Sequence, residues 1–293
     1  MTKNQKKLLG LLLILGALFL LSGCMVPTEV VNGKDVPIPI NPDTTFTQMF
    51  QNEDWFQAIF VFPLAKVINI TAPIVGVAAA IAIVTVGVNL LTLMLTIKST
   101  VGQQKMTMIQ PETNRITKKY AGKKDEASRM KQGQEIQALY KKHGINPLST
   151  ILGSFVQFPV IFAIYHAVQR ASEVSTGSFL GLSLSQSPLQ GIQNGQYLYI
   201  VLFLVMLIAQ VGAMKFPNFL TNYKAKKEAA LHHQKFVKVA QPGGNMMVYV
   251  MVGMMVIAVN WPAAMTIYWI ISSTVTILKT LLINFVFMKD KAV

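Results

Sequence analysis

The stretch "IVTVGVNLLTLMLTIK", residues 83–98, is apolar enough to be the second half of a membrane-spanning helix that stops at Lys98. Within it Thr85, Asn89, Thr92 and Thr96 recur at steps of four, three and four. On an α-helix those steps stack side chains along one face, so a polar stripe runs down an apolar segment. Polar groups inside a bilayer are costly unless they meet protein, water or one another. Hydroxyls in spans commonly bond the carbonyl one turn back and help to hold helices together. Taken alone, the stripe fits that role, and the remainder of the chain decides whether it does more.

Of the 293 residues 52% are hydrophobic and 13% charged, a composition that makes the chain an integral membrane protein. Beyond the N-terminal leader, five segments can be read as crossings of a bilayer core of roughly 30 Å: 76–97, 152–168, 197–214, 246–260 and 263–287. The fourth is short, and Asn260-Trp261-Pro262 turns it directly into the fifth, which predicts a tight helical hairpin. Polar residues recur in these spans: Ser154 and Gln157 in the second, Gln210 in the third, and Trp269, Ser273, Thr276 and Thr280 along one face of the fifth. That is more polar area than five helices need as glue. It predicts a hydrated concavity open to the cytoplasm and closed outside by apolar packing around Trp261 and Pro262.

Orientation is read from the basic residues, because short Lys/Arg-rich loops stay cytoplasmic. Residues 98–142 carry eleven Lys or Arg against four acids, and 215–238 carry six against one, so both loops are expected inside. Residues 24–55 hold one Lys and five acids and are expected outside. The net charge of +14 is therefore a topology signal, with no recognisable nucleic-acid module beside it.

Lys3, Lys6 and Lys7, the apolar run from Leu8 to Leu21 and the small residues after it read as a signal peptide over 1–23. Leu21-Ser22-Gly23-Cys24 resembles a bacterial lipobox, so Cys24, the only cysteine, is the expected site of a covalent diacylglyceryl group and further acyl chains. Residues 24–75 then form an outer segment ending in "DWFQAIFVFPLAKVINI". Phe56, Phe60, Leu64 and Val67 share one helical face there, which fits an interfacial helix on the outer leaflet better than a further crossing; an irregular leader is the alternative. Residues 98–151 read as a cytoplasmic helical hairpin with a charged turn at Gly122, closed by Gly144 and Pro147. A solvated spacer is the plainer account, but the segment is long for a mere connection. Residues 152–287 complete the spans, and 288–293 form a short cytoplasmic tail.

Enzymatic readings fare poorly. His143, His232 and His233 lie in loops, and only His166 sits near a span end; no H-E-x-x-H helix or Gly-rich phosphate loop occurs. The adjacent pair His232-His233 points its rings apart on a helix, so neither a metal nor a cofactor is expected. No span holds a carboxylate, which makes proton-coupled transport hard to build.

Four ordered motifs, "QQKMTMIQPETNRITKKY", "ALYKKHGINPL", "FVQFPVIFAIYHAV" and "NWPAAMTIYWIISS", resemble the YidC/Oxa/Alb membrane protein insertases in their five-span lipoprotein form. The resemblance implies an all-α membrane protein whose five transmembrane helices enclose a cytoplasm-open hydrophilic groove. It implies insertion of newly made membrane proteins into the cytoplasmic membrane without nucleotide hydrolysis, alone or with the Sec translocon. Nascent membrane proteins, membrane lipids and the ribosome are the implied partners. The groove positions carried over are Thr85, Asn89, Thr92, Thr96, Ser154, Gln157, Trp269, Ser273 and Thr276. One departure stands out: the family usually has an arginine where this chain has Asn89. Lys279 either compensates or snorkels to the headgroups. A polytopic transporter or channel with a polar pathway is the rival from another class, and an assembly scaffold is a third.

Overall fold

The computed structural model describes residues 25–31, 33–123, 125–231, 233 and 244–287. The expected signal peptide, Cys24, His232 and the tail 288–293 lie outside the described residues. The described chain is helical, apart from two small antiparallel hairpins. Strands β1, Thr28–Val31, and β2, Lys34–Pro37, form the first. Helix α1, Phe46–Asn52, starts on a capping box made by Thr45 and Gln48. A π-helical turn, Gln57–Val61, leads into α2, Phe62–Val75, which stops at Gly76, whose φ of 84° suits only glycine comfortably. The long helix α3 is Val77–Met108.

Next in the chain are helices α4, Gln110–Lys119, and α5, Glu126–Lys142, then α6, Pro147–Phe155, α7, Gln157–Arg170, and α8, Ser172–Thr176. After β3, Ser178–Phe179, and β4, Leu182–Ser183, come α9, Pro188–Gln193, and α10, Leu198–Leu231. Helix α11, Gly244–Ile257, passes through a short 3₁₀ turn, Ala258–Asn260, before α12, Ala263–Phe287. Among the described residues four helices are long and apolar enough to cross a membrane: Gln57–Val75, Val77–Met108, Leu198–Leu231 and Ala263–Val286; Val248–Asn260 is shorter.

Three features depart from, or add to, the sequence expectation. Helix α3 does not stop with its apolar part near Lys98 but runs to Met108, because the polar residues beyond Lys98, Gln103, Gln104 and Lys105 among them, are good helix formers. The second expected span is broken at Val156 into α6 and α7. Pro159 explains the break: it has no N–H to give the Phe155 carbonyl. Gln57–Val75, expected at the interface, has the length and composition of a crossing. It buries Ala58, Val61, Ala65, Ile68 and Ala72 along one side and packs on α7 and α8.

The chain divides into two compact units: Met1–Val88 with Phe155–Leu202 and Asn260–Tyr268, and Asn89–Ser154 with Phe203–Val259 and Trp269–Val293. The first is held by a polar clamp. Arg170, 1% exposed, forms a bidentate pair with Glu53 at 2.5 and 2.6 Å and donates to Gln57 Oε1 at 2.9 Å and to the Ile38 carbonyl at 2.7 Å. Gln57 Nε2 lies 2.7 Å from His166 Nδ1. Residue 40 is pinned alongside: the Ile40 N–H donates to the Arg170 carbonyl at 2.6 Å, and the Ile40 carbonyl accepts from Asn69 Nδ2 at 2.5 Å. The buried side chains of Arg170, Gln57 and Asn69 are thus all hydrogen-bonded, as a low-dielectric interior requires.

In the second unit α4 and α5 pair as an antiparallel hairpin over buried Ile109, Leu139 and Ile145. Gly122 and Gly144 supply the positive φ its turns need. Lys119 Nζ and Tyr120 Oη both donate to Glu135 Oε1, at 2.6 and 2.7 Å. Helix α3 approaches α6 closely: a Cβ on Gly102 would fall 2.5 Å from Thr150 Oγ1, and Ser99 Oγ donates to the Ser149 carbonyl at 2.7 Å.

Candidate functional site

The expected groove residues fall in both units. In the first, Thr85 is fully buried and its hydroxyl donates to the Ile81 carbonyl at 2.7 Å, the one-turn back-bond of a span hydroxyl. Gln157 opens α7 and is half-buried. Ser154, on α6, belongs to the second unit, and its side chain lies outside the described ones.

The second unit assembles the larger group. Asn89, 6% exposed on α3, accepts a hydrogen bond through Oδ1 from Lys279 Nζ on α12 at 2.7 Å. Ser273 Oγ, also buried, donates to Gln210 Oε1 on α10 at 2.5 Å. Two polar pairs thus tie α12 to α3 and to α10 within this unit. Thr92 and Thr96 are half-buried, and Thr96 donates to the Thr92 carbonyl at 2.6 Å. Trp269 is buried. Thr276 is exposed and back-bonds to the Ser272 carbonyl at 2.8 Å, and Thr280 repeats the pattern to Thr276 at 2.9 Å. These back-bonds use the hydroxyl protons on their own helices and leave oxygen lone pairs as what the hydroxyls can offer.

The electrostatics are set by Lys279. Among the described residues its ammonium pairs with no carboxylate within 4 Å, and the group to which it donates is a neutral amide. An amide orients the cation without cancelling its charge. The sequence pattern singled out Asn89 and left Lys279 between two roles. It also left out Gln104, 8% exposed, whose Nε2 donates to the Thr280 carbonyl at 3.3 Å. Gln104 lies past the apolar window, so only the continuation of α3 brings it into the unit.

The family model described as "60Kd inner membrane protein" matches residues 70–291. The chain is 33% identical over 291 residues to "Membrane protein insertase YidC" of Oceanobacillus iheyensis, covering 98% of this chain and 100% of that protein. It is 30% identical over 288 residues to "Membrane protein insertase YidC 2" of Bacillus anthracis, with 96% and 94% covered. To "Membrane protein insertase MisCA" of Bacillus subtilis it is 29% identical over 283 residues, with 95% and 92% covered. The chain belongs to the 60Kd inner membrane protein family, the YidC/Oxa group that its four motifs resemble. It is a multi-pass membrane protein.

Proposed function

We propose that the protein is a membrane protein insertase that uses a hydrophilic groove lined by Asn89, Thr92, Thr96, Trp269, Ser273 and Thr276. The observation that carries this reading is the 2.7 Å contact between Lys279 and Asn89. A cation stands at the position where an arginine is expected, but it is delivered from α12. Its charge attracts acidic residues in the segment of a nascent chain that must cross. The polar side chains around it lower the barrier for that segment, since hydrogen-bond partners replace part of its hydration. The client's apolar helix then leaves for lipid, driven by transfer at roughly 25 cal/mol per Å². Thr85 and Gln157 remain groove positions on the sequence pattern alone, as does Ser154.

The groove opens to the cytoplasm in this reading, and the α4–α5 hairpin lies on that side, as the basic loops favour. The hairpin and the basic loops are offered to the Sec translocon or the ribosome. Residues 1–23 act as a signal peptide and Cys24 as the lipidated N-terminus outside. A photoreactive residue at Thr92 tests the groove: it is expected to crosslink a nascent membrane protein during translation, while one at exposed Ile83 is not. Equal yields from both sites contradict the groove.

A further inference from the structure

Helix α10 is 34 residues long, about 51 Å at 1.5 Å per residue, against a bilayer core of roughly 30 Å. Its apolar part ends at Met214, and the polar part begins "KFPNFLTNYKAKK". The residues after Met214 therefore stand at a membrane face and beyond it. At roughly 100° per residue, Lys215, Lys226, Phe219, Tyr223, Phe216 and Lys227 fall within an arc of about 120°. The opposite side of the helix is taken up by its own unit: Pro217 and Thr221 line a small polar cavity with Gln104 and Thr280, and Lys224 bonds Asn284.

The free side carries an aromatic ladder. Phe216 and Phe219 have ring centroids 6.3 Å apart, and Phe219 and Tyr223 are stacked at 6.4 Å. Phe219 is 64% exposed and Tyr223 61%. Large apolar rings left this open on a helix need an apolar neighbour. Lysines flank the ladder on both edges, and Glu228 is the single carboxylate of the helix.

We propose that this stripe is a binding ridge for anionic lipid headgroups at the membrane face where α10 emerges. The rings sit at the level where Trp and Tyr belts lie, and the lysines reach from there to phosphates. The rings follow directly on the apolar part of α10, which sets them beside lipid and favours headgroups over RNA as the occupant. The ridge does not depend on the insertase reading, only on α10 crossing the bilayer.

The test is native mass spectrometry of the full chain released from bilayers of equal phosphatidylglycerol and phosphatidylcholine. The unaltered protein is expected to retain phosphatidylglycerol in preference. Lys215→Gln/Lys226→Gln/Lys227→Gln together should reduce that preference threefold or more, and the three Lys→Arg changes should keep it. Lys118→Gln/Lys119→Gln/Lys123→Gln on the α4–α5 hairpin should also keep it, which separates the ridge from general basicity. An unchanged preference in the Gln variant of the ridge overturns the proposal. So does an equal loss in the hairpin variant, or a ridge variant that keeps its lipids while losing a ribosomal RNA fragment.

Discussion

Arg170 and Lys279 are both set among apolar helices, and the two units treat these cations in opposite ways. Arg170 in the first is surrounded by a carboxylate, an amide and a backbone carbonyl, with every contact between 2.5 and 2.9 Å. Lys279 in the second is held by the amide of Asn89 and pairs with no described carboxylate. A guanidinium satisfied on all sides fixes structure, because its planar fork matches its acceptors. An ammonium held but not neutralised keeps a field that an anionic visitor can feel. The contrast separates a charge that builds the fold from one that is available for work.

The largest effect that tests the contrast is expected at the clamp. Replacing Arg170 by Met leaves Glu53 and Gln57 without their partner, and breaking a buried pair on one side costs about 3–5 kcal/mol. Unfolding of the purified protein by graded denaturing detergent should show that loss; a change below about 1 kcal/mol, the scale of an exposed pair, would make Arg170 no more structural than Lys279. Lys279→Met should do the reverse. Folding stability is expected to change little, while insertion of a client with acidic residues in its crossing segment drops about tenfold, the cost of one charge-assisted contact of about 1.4 kcal/mol. A client without acids should be nearly unaffected. Lys279→Arg should retain activity on both.

The smallest effect is expected at an exposed ion pair, where charge is screened by solvent. Hydrogen bonds from Lys119 and then Tyr120 hold the Glu135 carboxyl below its usual range, and the hydrogen bond to Glu135 raises Lys119. The carboxylate's contribution is present above its unfolded pKa of about 4.3 and is lost as pH falls through the depressed folded value. The ammonium's contribution is present below about 10.4 and fades as pH rises through the raised one. Protection of the α4 and α5 amides, their exchange taken relative to the intrinsic rate at each pH, should therefore be greatest between those limits. Glu135→Gln should flatten the profile slightly; a profile unchanged by it removes the pair from the account.

Local signals made much of the fold legible. Apolar windows located three of the four described helices that are long and apolar enough to cross a membrane, and Gly122, Gly144 and Pro147 mark turns and a helix start that the structure contains. These are decided by residues next to one another in the chain. The continuation of α3 is hidden from an apolar window, which ends at Lys98, though Gln and Lys propagate helices well. The break before Gln157 was written in Pro159, but the apolar run over 152–168 masked it. Contacts between distant residues were not legible at all. Asn89 and Lys279 are 190 positions apart, and Arg170 and Glu53 are 117 apart; no periodicity connects them. The stripe on α3 could be seen from its spacing, whereas the charge that completes it arrives from another helix.

Moving the charge between the two helices shows whether the cation or the helix that carries it matters. Lys279→Met, Asn89→Arg, and the two together are compared for insertion of an acidic client into vesicles containing only this protein. If the cation is what matters and α12 merely carries it, Lys279→Met loses about tenfold and adding Asn89→Arg restores most of the activity. Asn89→Arg alone gains nothing, because two cations then crowd one pocket. If Lys279→Met inserts the client as well as the unaltered chain does, the charge has no role there and the account is contradicted.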